Sequence, residues 1–197
     1  MLNQRASDCT PPFALVLADY NPTVLCLVTL PNFILAWALQ QQGKVSVLDV
    51  AFTSDGELEL SAEVLQAFRD HLSSNHIILS FLSGAWSPEF VELLHSSPGI
   101  VAGAETLVMG SETIYSPFAL ESFAATLLSI LKRQQQGQTT SHATAIVAAK
   151  KLYFGVGGSL DDFTNRIKTL GANVETLREE VDGVHRGVVR CRLSWTS

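Results

Sequence analysis

Apolar and polar positions along the chain predict a mixed α/β protein. Residues 13–20, "FALVLADY", form a short apolar run that ends in an acid, which is typical of a strand buried on both faces of a parallel sheet. Further runs predict strands at 76–83, 104–110 and 143–154. Between them, apolar residues recur at helical spacing, which predicts helices at 61–74, 88–96 and 116–136.

Capping residues place the ends of several helices. Asn21 and Pro22 suit the N-cap and the first helical position of a helix that Gly43 ends. Ser159 and Gly171 bound a later helix in the same way. Residues 44–50 predict another strand, and the polar stretch 53–60 beside it predicts an excursion or hairpin.

The order of these elements predicts the fold class and the domain. Strands alternate with helices until 173–181 and 187–195, which read as a terminal antiparallel pair. This order favours a three-layer α/β fold with a mostly parallel sheet. We expect residues 1–12 to be an irregular or disordered N-terminus and residues 13–197 to form one domain.

Composition narrows the class of partner. A chain of 197 residues with 47% apolar content can bury one sizeable core, and its net charge of −6 argues against a sequence-independent nucleic-acid binder. A basic or neutral partner suits it better. Cys9, Cys26 and Cys191 are odd in number and lack CxxC spacing, so we predict neither a disulfide framework nor a zinc site. We therefore expect the protein to lie in a reducing compartment. The N-terminal stretch lacks the apolar core of a secretory signal.

One apolar stretch raises the question of a membrane segment. Residues 23–39 are strongly apolar, but the run is shorter than the roughly 20 residues of a spanning helix and carries Pro31 and Asn32 in its middle. We favour a buried helix, or two short helices meeting near Pro31, over a spanning helix.

The loop "SETIYSP", residues 111–117, is a candidate site. It follows a predicted strand, and ligands of open α/β sheets bind at the carboxyl ends of strands. Glu112 and Tyr115 are the side chains suited to chemistry. The alternative is that Ser111, Thr113 and Ser116 are ordinary turn and N-cap residues beside a solvated Glu112.

Two other strand ends offer groups that suit a nucleoside. Asp19 could accept hydrogen bonds from ribose hydroxyls, or could be an acid that stabilises a helix N-terminus. Trp86 could stack on adenine, or could be a core tryptophan. The glycines of 153–158 lack GxGxxG spacing and suggest a tight turn or a close backbone approach near the substrate. The histidines 71, 76, 95, 142 and 185 show no metal-like grouping.

Four segments together carry a resemblance. They are "LADYNPTVLCLVTLPNFILAWA", "SFLSGAWSPEF", "GSETIYSP" and "AAKKLYFGVGG", in this order. The chain resembles the histidine protein methyltransferase family, particularly its fungal members, from about Phe13 to Leu193. The most specific elements are "SETIY", which carries the ExxY motif of the seven-strand protein methyltransferases, and "YFGVGG".

The resemblance implies a Rossmann-like class I methyltransferase sheet and S-adenosyl-L-methionine as cofactor. The implied acceptor is a histidine of a protein, within a basic ribosomal protein of the large subunit. We also expect a monomer in the cytoplasm or nucleus that binds no nucleic acid, membrane or metal. The implied cofactor contacts are Asp19, Tyr20, Ala85, Trp86 and Ser111, and the implied catalytic residues are Glu112, Thr113 and Tyr115.

The implied role of Glu112 is physically reasonable. Methyl transfer to imidazole needs one ring nitrogen without its proton, and a carboxylate that accepts from the other N–H fixes that tautomer and its orientation. Neither a metal nor a strong base is needed for this reaction.

One part of the family's pattern is missing. The family's first strand and acidic, glycine-rich loop have no counterpart before residue 13. The resemblance therefore implies an N-terminally truncated sheet whose central strand is lost, which leaves two neighbouring strands without a backbone partner. Besides an enzyme, the sequence therefore also allows a non-catalytic relative that acts as a protein-binding module.

Overall fold

The computed structural model describes residues 12–100, 104–135, 143–151 and 158–193. Its strands are β1 (Phe13–Asp19), β2 (Ile77–Ser83), β3 (Thr106–Ser111), β4 (Ala143–Lys150), β5 (Ala172–Glu180) and β6 (Arg186–Leu193). Its α-helices are α1 (Pro22–Val24), α2 (Leu30–Gln41), α3 (Leu48–Ala51), α4 (Ala62–Ser74), α5 (Pro88–His95), α6 (Pro117–Gln135) and α7 (Leu160–Thr169). The alternation confirms the predicted α/β class. The expectations for residues 1–11, which include Cys9, for His142 and for most of the glycine run lie outside the described residues.

The chain divides into two compact units. The first runs to Gly84 and includes Ser97–Gly99, and the second comprises Ala85–Ser96 and the chain from Ile100 onward. In the first unit, β1 and β2 pair in parallel from Phe13 opposite Ile77 to Asp19 opposite Ser83.

Aromatic and aliphatic side chains form the core of the first unit. Trp37 of α2 meets Phe68 of α4 edge-to-face, with ring centroids 5.4 Å apart. Leu48 and Val64 are fully buried in the same cluster. Val64 and Phe68, the buried residues of α4, lie four positions apart on one face of the helix, and Ser61 is its N-cap.

The helical stretch after β1 is continuous. Asn21 accepts the N–H of Thr23 as N-cap, Pro22 follows it, and a π-helical segment at Leu25–Thr29 joins α1 to α2. Of the two alternatives given for residues 23–39, the structure shows one continuous helical stretch without a break near Pro31, which closely follows the π-helical segment. Pro22–Gln41 is 20 residues long and has the length and composition of a membrane span, which a core helix of a soluble protein can also have.

The predicted strand at 44–50 is wrong. Leu48–Ala51 forms one turn of helix instead, and Leu48 and Ala51, three positions apart on one face, are both buried. Alternating valines and a leucine fit both periods over so short a run, and the tertiary packing selected the helical one. The neighbouring excursion is confirmed as a hairpin-like turn, closed by a bridge between Phe52 and Leu58.

The second unit contains a four-stranded sheet of order β3-β4-β6-β5. β3 and β4 are parallel, whereas β6 is antiparallel to both β4 and β5, as predicted for the terminal pair. The core combines strand residues with residues of α6 and α7, among them Leu127, Val147, Phe163 and Cys191. Burial raises the pKa of the Cys191 thiol to about 11, so this cysteine is an unreactive core residue at neutral pH.

The described strands form two sheets, which differs from the single, mostly parallel sheet expected from the sequence. Within the described residues, β1 pairs only with β2 and β3 pairs only with β4 among the strands. The outer strand β5 carries charged residues that protect a natural sheet edge, but β3, "TLVMGS", carries none. An unprotected β3 edge is what the loss of a neighbouring strand would leave, and the truncation itself stays a prediction.

His95, at the end of α5, is expected to give the second unit a pH-dependent stability. Burial lowers the pKa of His95, the positive charge of Arg133 lowers it further, and Glu92 opposes the shift. Its Nε2 atom is buried without a hydrogen-bond partner in the described structure. The unfolded chain therefore takes up this proton first as the pH falls through about 6.5, and stability present above that pH is lost below it.

We accordingly expect His95→Gln to flatten the acid side of the stability curve. The measurement is the thermal unfolding midpoint of both chains between pH 8 and pH 5.5. The native chain should lose more of its midpoint over this range than the variant does. Parallel curves would show that His95 does not contribute.

Candidate functional site

The loop after β3 begins with a strained glutamate. Glu112 has φ of 55°, a left-handed conformation that costs a non-glycine residue about 1–2 kcal/mol. Its N–H donates to the carbonyl of Ala148 on β4 at 3.0 Å, which continues the β3–β4 ladder by one bond. Such strain persists only where the surroundings impose it, and it is found preferentially at functional sites.

The rest of the loop is anchored from within the second unit. Ile114 has no exposed surface and belongs to the core cluster. Ser116 accepts the N–H of Ala119 at 3.2 Å and so caps α6, which confirms the ordinary N-cap interpretation for this serine. The anchor and the cap leave Glu112 and Tyr115 on the outside, with Tyr115 56% exposed.

Thr113 is the loop residue whose hydrogen bonding is incomplete. Its Oγ1 atom is buried and has no hydrogen-bond partner in the described structure. A buried hydroxyl without a partner is costly, so a native protein is expected to satisfy it with a group such as a ligand or a water. Thr113 therefore fits a site better than it fits a simple turn.

Gly158 supports the loop from the other side. Its φ is +89°, and a Cβ atom at this position would lie 2.6 Å from the carbonyl oxygen of Ile114 and 3.2 Å from the backbone of Ser116. The close backbone approach predicted for the glycine run is thus confirmed at Gly158, the one glycine of that run in the described part of the chain. Only a glycine can occupy this position without displacing the loop.

Arg186, the first residue of β6, faces the loop and had no predicted role. Its Nε lies 3.7 Å from Oε1 of Glu112. The predicted terminal strand began one residue later, at 187, and nothing local in the sequence marks an arginine whose partner lies more than 70 positions earlier. Glu112 is exposed to solvent, as the alternative interpretation has it, and its carboxylate also has this arginine beside it.

Asp19 and Tyr20 lie in the first unit, at the end of β1. Oδ1 of Asp19 accepts the N–H of Asn21 at 2.8 Å, so the acid does act at a helix start, which was the alternative to a ligand role. A carboxylate has about four acceptor positions, so this bond leaves capacity for hydroxyl donors. Tyr20 is 72% exposed. The predicted cofactor contacts of both residues stay predictions.

Trp86 lies in the second unit and has the packing of a core residue. Its ring meets the rings of Phe90 and Phe123 edge-to-face, with centroids 5.1 Å and 5.8 Å apart. The ring remains partly exposed, beside the exposed Ala85. The aromatic contacts favour the core interpretation of Trp86, while its contact with adenine stays a prediction.

The described residues bring the ExxY positions together on one loop. Ser111, Glu112, Thr113 and Tyr115 occupy it, at the carboxyl end of β3, where a parallel strand pair presents ligands. Among the described residues there is no group of three or more His, Cys, Asp or Glu side chains that could hold a metal ion. The α/β class and this loop are consistent with the methyltransferase that the sequence resemblance implies.

Comparison with known proteins makes the class more particular. No family model matches the chain. The chain is 36% identical over 166 residues to histidine protein methyltransferase 1 of Saccharomyces cerevisiae, and the match covers 80% of this chain and 42% of the yeast protein. It is 35% identical over 181 residues to the Schizosaccharomyces pombe protein of the same name, covering 90% and 48% respectively. The chain is 28% identical over 179 residues to the homolog from Bos taurus, and this match covers 90% of this chain and 41% of the bovine protein.

These relatives confirm the resemblance predicted from the sequence. Over most of its own length, the chain is a homologue of histidine protein methyltransferases from fungi and mammals. It spans about half the length of the curated relatives it matches. The names of these relatives do not favour a non-catalytic binding module.

Proposed function

We propose that this chain carries the acceptor site of an S-adenosyl-L-methionine-dependent protein-histidine N-methyltransferase. The observation that carries the proposal is the loop of Glu112, held in a left-handed conformation at a strand end, in a homologue of proteins named for histidine methylation. The strained backbone of this anchored acid costs free energy, and such strain is retained preferentially where the position serves a function.

Glu112 orients the acceptor in this proposal. The neutral imidazole of the acceptor donates its N–H to the Glu112 carboxylate, which leaves the other ring nitrogen with its lone pair directed away from the loop. When bound, S-adenosyl-L-methionine supplies an electrophilic methyl group. As the new N–C bond forms, the bond between the methyl carbon and the sulfonium sulfur would break, and the rest of the cofactor would leave as a neutral thioether. The imidazole would then carry the positive charge, which the nearby carboxylate stabilises until the ring N–H proton leaves to solvent.

Tyr115 and Thr113 complete the acceptor side. Tyr115 is exposed beside Glu112, where its ring can cover the imidazole and exclude water. Thr113 Oγ1 is a buried hydroxyl without a partner, and it suits a polar atom of a bound molecule. These features support the assignment of both residues to the site.

The cofactor contacts are proposed at the positions that the sequence resemblance implies. Asp19 ends β1 and Tyr20 follows it, and the Asp19 carboxylate retains acceptor capacity for ribose hydroxyls. The partly exposed Trp86 and its neighbour Ala85 suit the adenine ring, and Ser111 ends β3. The uncharged, open edge of β3 supports a three-layer, Rossmann-like sheet that a further strand would complete.

The acceptor is proposed to be a basic protein, specifically a ribosomal protein of the large subunit. The net charge of −6 favours association with a basic partner and disfavours direct binding to nucleic acid. We propose a monomer that works in the cytoplasm or the nucleus and binds no membrane.

Binding of S-adenosyl-L-methionine to the purified chain tests the cofactor assignment. We expect saturable binding by calorimetry, weakened about 10- to 100-fold by Asp19→Asn, because charge-assisted hydrogen bonds contribute about 1.5–3 kcal/mol each. Asparagine keeps an oxygen for the N–H of Asn21, so the turn at the start of α1 should survive.

Asp55→Asn is the control for Asp19→Asn. Asp55 is an exposed acid of the turn between Phe52 and Leu58, so its substitution should leave the affinity unchanged. A folded chain that binds no cofactor would contradict the proposal for this chain, and equal affinities of the native and Asp19→Asn chains would remove Asp19 from the site.

A further inference from the structure

We propose that Arg186 is a positioning residue that holds the Glu112 carboxylate in the orientation that the acceptor imidazole requires. The inference rests on the proposed function and adds a residue to that site. Its starting point is the contact between Arg186 Nε and Glu112 Oε1 at 3.7 Å.

A single strand sets the distance between the two residues. The carbonyl of Ala148 on β4 accepts the N–H of Glu112, and Lys150, two residues further along β4, lies opposite Arg186 of β6. Both backbones are therefore tied to neighbouring positions of the same strand. The remaining freedom is rotation about the side-chain bonds, and an ion pair between the two side chains restricts it.

Arg186 makes this contact although another acid lies opposite it. In the β5–β6 pair, Arg186 is in register with Glu180. Glu180, however, pairs with Arg178 of its own strand, with 2.9 Å between Arg178 Nη2 and Glu180 Oε2. The Arg186 side chain is thus directed to the loop and not to its cross-strand neighbour.

Stability gives no reason for the pair. The side chains of Arg186 and Glu112 are 58% and 42% exposed, and ion pairs in such an environment contribute little to folding. The pair can instead fix the orientation of the Glu112 carboxylate. One carboxylate oxygen must face the imidazole N–H, and the Arg186 guanidinium attracts the other oxygen. A carboxylate without this partner samples more rotamers, and fewer of them place the acceptor nitrogen in line for methyl transfer.

Kinetics of Arg186 variants test the inference. We expect Arg186→Ala to lower kcat for histidine methylation about 10- to 100-fold with KM for the cofactor unchanged, and Arg186→Lys to recover part of the loss. Arg190→Ala is the matched control, because Arg190 lies on the same strand and pairs with Glu175 of β5. It should leave kcat unchanged, and an equal fall in both alanine variants would show a structural effect of the strand instead.

A second readout does not need activity. In a chain with carbon-13-labelled glutamate carboxyls, the Glu112 signal is identified by its absence in Glu112→Gln. The chemical shift of the Glu112 carboxyl should change in Arg186→Ala and stay the same in Arg190→Ala. An unchanged shift in Arg186→Ala would show that the contact does not form in solution. An active native chain whose kcat survives Arg186→Ala would overturn the role of Arg186 alone. A cofactor-bound native chain without methyl transfer would overturn the proposed function, and with it this inference.

Discussion

Glu112→Gln is expected to lower kcat for histidine methylation by about 100-fold or more, while the affinity for S-adenosyl-L-methionine stays the same. The amide has the shape of the carboxylate but no charge to stabilise the imidazolium that forms. Its NH₂ group can also turn toward the imidazole and bind the lone pair that must attack the methyl group. The measurement is the rate of methylhistidine formation at saturating cofactor.

Glu121→Gln provides the matched control. Glu121 is an exposed glutamate of α6 that pairs with Arg166, so the substitution also removes one surface ion pair of the second unit. Both variants should unfold at nearly the native temperature, because surface ion pairs contribute little to stability. If Glu112→Gln keeps more than half of the native rate, Glu112 has no part in catalysis.

Gly158→Ala is expected to destabilise the second unit and to displace the acceptor loop. The added Cβ would lie 2.6 Å from the carbonyl oxygen of Ile114, which is backbone and has little room to move. Left-handed strain of about 1–2 kcal/mol and overpacking of about 1–3 kcal/mol together suggest a loss near 3 kcal/mol in the free energy of unfolding. A shift of the loop by about 1 Å would also lower the methylation rate about 100-fold.

Gly171→Ala separates the strain from the collision. Gly171 ends α7 with φ of +96°, and a Cβ at this position would meet no atom within 4 Å. This variant should lose only about 1–2 kcal/mol and keep its methylation rate. Chemical denaturation of the two variants gives the comparison, and equal losses would mean that Gly158 does not support the loop.

Local sequence signals predicted most elements because they act over a few residues. Ser61 and Ser159 cap the helices that their neighbours' periodicity indicates, and Asn21 with Pro22 starts the first helix. The strand predicted at 44–50 was wrong because so short a run with apolar residues fits a strand and a helical turn equally well. Its helical state depends on packing in the core of the first unit.

The candidate site was only partly predictable for a related reason. The loop around Glu112 could be found from polar residues at a strand end, but its left-handed conformation and its contact with Arg186 depend on strands far apart in the sequence. The packing of Trp86 against Phe90 and Phe123 was likewise not predictable from its place after a strand, and its contact with adenine stays a prediction. Long-range packing decides such roles, and periodicity does not encode it.

The most direct test is methyl transfer by the purified chain to a histidine. Isotope-labelled S-adenosyl-L-methionine is incubated with the chain and with unmodified proteins of the large ribosomal subunit, and the labelled residue is identified after acid hydrolysis. The proposed function predicts label in methylhistidine, and a loss of that label in Glu112→Gln. A chain that binds the cofactor but labels no histidine, or labels lysine or arginine instead, would contradict it.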